Sequence, residues 1–440
     1  MTASGRFPDW ADLTAGARDE LCAGAAAHAR RLEPRLNAFI AIADAGPAPA
    51  DGPLRGMPYA VKDIFRIAGR EPSGGLGAIT DLGIAGESDM LRRLDTAGGH
   101  RVGFTALTEL AYEPSGHNVA RGRTRNPWNL DFIAGGSSSG SAAAVASGAA
   151  VVALGSDTAG SVRIPAHACG VTAWKPTFGM VSTRGAMALA PSLDTIGLLA
   201  RSAADLMPAL RIVADAALPQ HPEPIRRAVV LSDLVDGAEP SVRAACRAGI
   251  DAIKSLGVAM AWRHGEAARV RIDPLALAVL QAEAARTHRA SIEGPALAPV
   301  PRKRLAKGLA IDGATLADAL GQRARLVAEF VDTLLGPAEV ALLPVMAIRT
   351  PPATACDPAA ANFSPRTLYE LSRFTRFVNF LGLPAVALPV GFDDRGLPVA
   401  LQLVGRPTAD VALVALAEAV QRRTDWHGRI PAAVADLAAT

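Results

Sequence analysis

Residues 135–161 read GGSSSGSAAAVASGAAVVALGSDTAGS, and this stretch decides the fold. It begins and ends in turns rich in glycine and serine. Between them, the small residues of 141–148 predict a tightly packed helix, and the apolar run 151–154 predicts a buried strand. A buried strand beside a helix of small residues is typical of an α/β sheet, so we predict that fold class.

The rest of the chain continues this alternation. Residues 59–61 predict a short strand that places Lys62 at its end, before a loop rich in glycine and proline. Apolar residues recur at three- to four-residue spacing over 11–32, which predicts an N-terminal amphipathic helix before Pro34 disturbs it. Later helices are predicted at 203–216, 241–256 and 410–421, and later strands at 228–231, 340–343, 385–389 and 399–403.

The composition excludes several classes of protein. The chain has 440 residues, of which 50% are hydrophobic and 20% charged, so it is not disordered and buries a large core. Its 45 Lys and Arg nearly balance 42 Asp and Glu, so composition gives no sign of binding to nucleic acid or an anionic membrane. The four cysteines form no CxxC pair, which predicts buried free thiols rather than a metal or redox site.

The sequence also predicts a cytoplasmic protein. Charged residues interrupt positions 1–20, so the hydrophobic segment of a signal peptide is not expected there. The longest stretch of low polarity, 142–154, falls short of the ~20 residues that cross a bilayer, so we expect no membrane contact.

Ser161 is a candidate nucleophile. The short residues Thr158, Ala159 and Gly160 precede it, so successive backbone N–H groups can reach a carbonyl oxygen and form an oxyanion hole. A serine hydroxyl needs a base, most commonly a histidine. His167 lies six residues on among apolar neighbours, a setting that favours a structural role.

Lys62 is an alternative base. A buried lysine can activate a serine, because desolvation lowers the pKa of its ammonium group and leaves it neutral. Lys62 is flanked by Val61, Ile64 and Phe65 rather than by other cations. Most lysines lie on solvated surfaces, and these neighbours alone leave both interpretations open.

The run 135–140 has two interpretations of its own. Three serines between glycines are typical of a flexible turn. The same residues match G-x-S-x-G, which would make Ser138 the nucleophile of an α/β-hydrolase-type esterase. That hypothesis has a poor preceding strand, 132–134, and would take its acid and base from Asp425 and His427, which lie awkwardly close in sequence for a triad.

Three motifs in order resemble the amidase signature family. They are PYAVKD at 58–63, GGSSSGSAA at 135–143 and GSDTAGSVRIPA at 155–166. Lys62 and Ser137 are 75 positions apart, and Ser137 and Ser161 are 24 apart, which is similar to the family's spacing. The resemblance extends to 126–129, 175–179, 192–197, 380–384 and 396–405, whereas 205–370 shows no comparable motif.

The resemblance implies a mechanism. Ser161 matches the family's nucleophile, Ser137 the bridging serine that follows a cis peptide bond, and Lys62 the base. The amides of 158–161 would stabilise the oxyanion, and Ala159 replaces the glycine that is more usual there. A small carboxamide would then be cleaved through an acyl-enzyme to a carboxylate and ammonia or an amine. The resemblance implies no metal and no cofactor.

The resemblance also implies the architecture. We expect a single amidase domain over 1–440, with three α/β/α layers around a mixed, mostly parallel central sheet. A variable region at about 205–370 is expected to shape the substrate pocket. A homodimer is a family expectation. The basic residues 302–304 and Lys307 lack interleaved aromatics, so we expect a solvated surface there and no nucleic acid partner.

Two other functions remain open. One branch of the family is the amidase subunit of a glutamine-dependent tRNA amidotransferase, which requires partner subunits. The weak match of 205–370 does not favour that branch. The other is a non-hydrolytic subunit of an assembly. For a free-standing amidase, aliphatic, aryl and ureido amides all fit the motifs.

Overall fold

The structure, a computed structural model, describes residues 7–44 and 51–438. Within these residues one sheet contains eleven strands: β1 (Phe39–Ile42), β2 (Pro58–Lys62), β3 (His100–Thr105), β4 (Val152–Asp157), β5 (Thr172–Lys175), β6 (Thr195–Ala200), β7 (Arg227–Leu231), β8 (Ala259–Arg263), β9 (Val340–Pro344), β10 (Ala385–Phe392) and β11 (Pro398–Gly405). They lie in the order β1-β3-β2-β4-β6-β5-β10-β11-β9-β7-β8.

Helices cover both faces of this sheet. Alternate strand residues enter different hydrophobic clusters: Tyr59 and Val61 pack in one cluster and Ala60 in another, and Leu198 and Leu199 divide in the same way. Two buried faces need a covering layer on each side, which gives the α/β/α arrangement. The helices are α1 (Ala15–Leu36), α2 (Asp89–Thr96), α3 (Ser139–Ala146), α4 (Arg163–Cys169), α5 (Ala203–Val213), α6 (Ser232–Asp236), α7 (Pro240–Ser255), α8 (Glu266–Thr287), α9 (Arg289–Glu293), α10 (Pro299–Ala306), α11 (Gly313–Gly321), α12 (Arg323–Glu329), α13 (Pro365–Leu371), α14 (Arg376–Leu381), α15 (Asp410–Gln421) and α16 (Ala432–Ala438).

The predicted α/β class and mixed sheet are confirmed, but parallel pairs are not the majority. Strands pair in parallel at β2–β3, β2–β4, β7–β8 and β7–β9, whereas the six other neighbouring pairs are antiparallel. A parallel pair needs a crossover connection, usually a helix. No helix intervenes between β5 and β6 or between β10 and β11, so these consecutive strands pair antiparallel.

The N-terminal helix is displaced from its predicted bounds of 11–32. It begins at Ala15, because Thr14 Oγ1 accepts a hydrogen bond from Ala17 N–H and caps the first turn. It continues past Pro34, which lies in the last turn, and ends at Leu36, where Asn37 caps it with a φ of +48°. The buried residues Ala25, Ala29, Leu32 and Leu36 keep helical spacing through the proline, so packing outweighs the hydrogen bond that Pro34 removes.

The four cysteines are buried free thiols, as the sequence predicts. Burial raises the pKa of each thiol, so all four stay protonated at neutral pH. Of the helices in the described ranges, none is long and apolar enough to cross a membrane.

Candidate active site

Lys62 lies at the end of β2, next to the end of β4. The two strands run parallel, with Val61 paired to Leu154, so their carboxyl ends meet at one edge of the sheet. There the buried Lys62 Nζ donates hydrogen bonds to Ser137 Oγ at 2.7 Å and to Ser156 Oγ at 2.8 Å. Two serines that are 75 and 94 positions away in sequence thus contact one amine.

The charge of Lys62 is set by its burial. Burial lowers the pKa of the ammonium group to about 7, although the carboxylates of Asp157 and Asp194 raise it. Removing a cation from water favours its neutral form. With a pKa near neutral pH, Lys62 can accept a proton and later return it.

The two serine-rich turns meet beside Lys62. The peptide bond between Gly136 and Ser137 is cis, as the resemblance implies. The next amide, Ser138 N–H, donates to the backbone oxygen of Ser161 at 3.1 Å, which holds the two turns against each other. Ser161 ends the turn between β4 and α4 and lines a cleft. The structure therefore gathers Lys62, Ser137 and Ser161 in one region.

A buried ion pair anchors the turn 158–161. Asp157 and Arg163 are fully buried and form a two-point contact at 2.8 and 3.0 Å. Burial raises the pKa of the Asp157 carboxyl, but Arg163, Lys175 and Asn379 more than offset this and hold the pKa well below its usual range. Asp157 is therefore a fixed negative charge next to the turn.

The Asp157 carboxylate also accepts a hydrogen bond from one of the amides that were expected to form the oxyanion hole. Gly160 N–H donates to Asp157 Oδ1 at 2.7 Å, which removes Gly160 from the predicted oxyanion hole. Gly160 has a φ of +125°, and a Cβ there would collide with Thr375 Oγ1, so the position requires glycine. By contrast, the amides of Ala159 and Ser161 have no acceptor among the described residues.

Thr158 is fixed from the other side of the turn. Its hydroxyl donates to Asp194 Oδ1 at 2.6 Å, and Asp194 also accepts from the N–H groups of Leu189 and Ala190. Burial raises the pKa of the Asp194 carboxyl, and these hydrogen bonds oppose the shift. Arg163 and Asp194 thus both act on the turn that carries Ser161.

Ser161 lies in a cleft whose other wall comes from later segments of the chain. Thr158 and Ala159 line it on the motif side. Arg304 lies in the cleft with its guanidinium 5.7 Å from the centre of the Tyr112 ring. No described carboxylate oxygen lies within 4.0 Å of it, although its charge acts on the buried Glu113 carboxyl and lowers the pKa of that group against the effect of burial. The cleft therefore combines an apolar and aromatic surface with one positive charge that has no direct ion pair. The later residues in its wall are Leu277, Leu280, Gln281, Arg304, Leu368, Tyr369 and Ser372.

Two other candidates from the sequence have different surroundings. Ser138 is fully buried, and its hydroxyl donates to the carbonyl oxygen of Ser156 at 3.3 Å rather than lining the cleft. This position does not suit the nucleophile of an esterase. His167 is also buried, and its Nδ1 accepts from Ala400 N–H at 3.2 Å. Burial lowers the pKa of His167 to about 4, so it is a neutral residue of the interior, as expected.

Sequence reasoning missed several residues of the site. Ser156 and Asp157 are the two polar residues at the carboxyl end of the otherwise apolar strand β4. That change from apolar to polar residues is the feature of the sequence that could have indicated them. Arg304 belongs to the basic run that was expected to face solvent, but it lines the cleft. Nothing local marks Thr375 and Asn379, because their bonds to Ala159 and Asp157 span 216 and 222 positions.

Known proteins with related sequence and structure identify the family. The Amidase model matches residues 28–414. The chain is 33% identical to a glutamyl-tRNA(Gln) amidotransferase subunit from Roseiflexus sp. (strain RS-1), over 91% of this chain and 92% of that one. It superposes on the crystal structure of an amidase with a TM-score of 0.82 and 29% identity, covering 94% of this chain and 97% of that one. It also superposes on 6-aminohexanoate cyclic dimer hydrolase complexed with substrate, with a TM-score of 0.81, 25% identity, and coverage of 95% and 96%.

The fold and these relatives define an enzyme that acts on amide C–N bonds. The chain belongs to the amidase family. The family match also spans 205–370, the region in which the sequence motifs found nothing comparable.

Proposed function

We propose that the protein hydrolyses a carboxamide through an acyl-Ser161 intermediate, with Ser137 and Lys62 as a proton relay. One observation carries the proposal: Lys62 Nζ lies 2.7 Å from Ser137 Oγ, and burial lowers the pKa of this lysine to about 7. A neutral lysine joined to a serine supplies the base that a serine nucleophile needs.

The proposed reaction begins with proton transfer. Neutral Lys62 takes a proton from the Ser137 hydroxyl. Ser137 takes a proton from the Ser161 hydroxyl as Ser161 Oγ attacks the carbonyl carbon. The N–H groups of Ala159 and Ser161, with that of Thr158, bind the negative charge on the carbonyl oxygen. The relay returns the proton to the leaving nitrogen, so the C–N bond breaks and an ester of Ser161 remains. Water then hydrolyses the ester to a carboxylate.

The cleft favours an amide that also carries a carboxylate. Arg304 is half-buried in the cleft, and no described carboxylate oxygen lies within 4.0 Å of it to form an ion pair, although its charge acts on the buried Glu113 carboxyl. A partly desolvated cation gains most from an anion that arrives with the ligand, because their hydrogen bonds are charge-assisted. The aromatic rings of Tyr112 and Tyr369 give the same wall an apolar surface. We therefore place monoamides of dicarboxylic acids and amides of amino acids first among the substrate classes.

A second candidate is the ammonia-donating subunit of a glutamine-dependent tRNA amidotransferase. The Roseiflexus relative is named as one component of a glutamyl-tRNA(Gln) amidotransferase, and the alignment covers 91% of this chain. The match through 205–370 removes the reason for which the sequence disfavoured this branch. Glutamine is a carboxamide that carries a carboxylate, so the cleft with Arg304 suits it as well. The sequence relatives favour this candidate over a free-standing amidase, and both use the same proposed chemistry.

Ammonia release by the purified protein tests the proposal. The panel contains aliphatic, aryl and ureido amides, monoamides of dicarboxylic acids, and glutamine, with Ser161→Ala assayed in parallel. Turnover that disappears in Ser161→Ala supports the acyl-enzyme, and turnover that survives this substitution overturns it. Glutamine as the only substrate, turned over faster with partner subunits present, would favour the second candidate. Silence across the panel would favour a subunit that does not hydrolyse amides.

A further inference from the structure

A groove outside the catalytic cleft gathers arginines from two segments of the chain. Arg30 belongs to α1, whereas Arg121, Arg123 and Arg125 belong to the loop between β3 and α3. Together with Glu33 they line a groove of about 640 Å³, which we call the arginine groove. None of its lining residues lines the cleft that contains Ser161.

Neutral backbone oxygens, rather than carboxylates, orient three of these guanidinium groups. Arg121 Nε and Arg123 Nη2 each donate to a backbone oxygen at 2.7 Å, and Arg125 Nη1 donates to another at 3.5 Å. Within 7–44 and 51–438, no carboxylate oxygen lies within 4.0 Å of any of the three. Their positive charges are therefore held in place without a direct ion pair.

Acidic residues lie near the groove, but none of those described forms an ion pair with Arg121, Arg123 or Arg125. Glu33 Oε2 accepts from two backbone N–H groups at 3.0 Å each. Arg30 has an ion pair with the exposed Asp44 at 3.2 Å. Arg123 Nη1 is buried without a hydrogen-bond partner. Burial and the charge of Arg125 lower the pKa of Arg123, and the more distant charges of Asp131 and Asp357 offset this only in part.

A second groove rich in arginine provides an internal comparison. It is lined by Arg349, Arg366, Arg373 and Arg395. Each of these pairs with a carboxylate of the chain, at distances between 2.6 and 3.8 Å. In this second groove the chain therefore supplies an anion for every arginine. In the arginine groove only Arg30 has such a partner among the described residues.

We propose that the arginine groove binds a small ligand that carries two or more phosphate charges. The planar fork of a guanidinium matches phosphate oxygens, and the resulting hydrogen bonds are charge-assisted. Such a ligand would bring the counter-anions that Arg121, Arg123 and Arg125 do not have within 4.0 Å among the described residues. The volume of the groove lies within the range of small-molecule sites.

Calorimetric titration of the full chain with pyrophosphate tests the proposal. The variants are Arg121→Gln and Arg125→Gln. The control is Arg366→Gln in the second groove, where each arginine pairs with a carboxylate. We expect saturable binding at one site that weakens as salt increases. Each groove variant should weaken binding about tenfold, because it removes a charged hydrogen-bond donor. Arg366→Gln should bind like the native chain, and thermal melts should show that all three variants fold.

Four outcomes would overturn the assignment. They are no binding of pyrophosphate at low salt, an equal loss of binding in Arg366→Gln, unchanged binding in both groove variants, and citrate binding as tightly as pyrophosphate. Binding of ATP more tightly than pyrophosphate, with the same dependence on Arg125, would support a phosphate site that also contacts a nucleoside. Binding of single-stranded RNA without pyrophosphate binding would replace the small ligand with a polymer.

Discussion

Lys62 Nζ and Ser137 Oγ lie 2.7 Å apart, although 75 positions separate the two residues in the chain. Ser156 Oγ occupies a second position around the same nitrogen at 2.8 Å. A neutral amine has one lone pair and two N–H groups, so it can accept from Ser137 while it donates to Ser156. Proton movement in the proposed relay therefore depends on the charge of one buried amine.

The pH dependence of activity should follow the protonation of the Lys62 amine. Because burial lowers the pKa of Lys62 to about 7, its neutral fraction increases through that pH. We expect kcat/KM to rise about tenfold per pH unit below about 7 and to level off above it, since kcat/KM reports the free enzyme. Lys62→Met should remove turnover at every pH. A profile that is flat or falls through neutrality would contradict the role of Lys62 as base.

Alanine substitutions of Ser138 and Ser161, the two candidate nucleophiles, should have different effects on activity and stability. Ser138→Ala should keep turnover, because the Ser138 hydroxyl bonds the backbone of Ser156 and lies away from the cleft. It should lower the free energy of unfolding by about 1 kcal/mol, the typical worth of such a hydrogen bond. Ser161→Ala should lose turnover and keep its stability. Loss of activity in Ser138→Ala with an unchanged melting temperature would revive the esterase hypothesis.

Arg304 should decide whether a carboxylate on the substrate matters. Arg304→Gln removes the positive charge from the cleft, so KM for a carboxylate-bearing amide should increase by about tenfold or more. KM for a neutral amide of similar size should not change. Lys303→Gln, at an exposed neighbouring position, is the matched control. Equal effects on charged and neutral amides would mean that Arg304 shapes the cleft without binding a carboxylate.

Asp157 should be a large contributor to stability. Asp157→Asn leaves the fully buried Arg163 without its counterion, which should cost about 3–5 kcal/mol in the free energy of unfolding measured with urea. The control is Asp236→Asn, which breaks a pair with Arg247 that is more than half exposed and should cost under about 1 kcal/mol.

The effect of Asp157 should also depend on pH in a defined direction. Its pKa is lowered in the folded chain, so its contribution is complete above the unfolded pKa of about 4 and decreases as pH falls below it. The difference between Asp157→Asn and the native chain should therefore shrink in acid. A difference that is constant down to about pH 2 would show that the charge of Asp157 is not its source.

The sequence predicts the local part of this architecture well. The helix α15 has its predicted bounds of 410–421, and the strand that ends at Lys62 is where the motif indicates. Both follow from patterns within a few residues. The burial of Lys62 does not, because β4 and the turn at Ser137 create it from distant parts of the chain.

Local sequence patterns do not predict the direction of the strands or the residues of the cleft wall, for the same reason. Whether β6 runs parallel or antiparallel to β4 depends on connections that pass through β5. Arg304 stands in a basic run that is typical of a solvated surface, and only the packing of α10 against its neighbours brings it to the cleft. The Gly160 amide looked available in the motif, whereas the fold directs it to Asp157.

Glu283 should act as a positioning residue for the turn that carries Ser161. Its carboxylate accepts from the hydroxyl of Ser192 at 2.6 Å and from Ser192 N–H at 2.9 Å, which fastens α8 to the segment that contains Asp194. Asp194 in turn holds Thr158. Glu283→Ala should therefore reduce kcat about tenfold, through the loss of two hydrogen bonds that fix this segment, while the apparent pKa of activity stays near 7.

A conservative variant and a surface control make this prediction specific. Glu283→Gln keeps one acceptor for Ser192 and should recover part of the lost kcat, because the geometry of the segment depends on the hydrogen bond more than on the charge. Glu293→Ala removes an exposed carboxylate that pairs with Arg289 at 3.7 Å, and it should leave kcat unchanged. If Glu283→Ala lowers only the melting temperature, or moves the pH profile, then Glu283 stabilises the fold or acts on Lys62 electrostatically, and the positioning role is wrong.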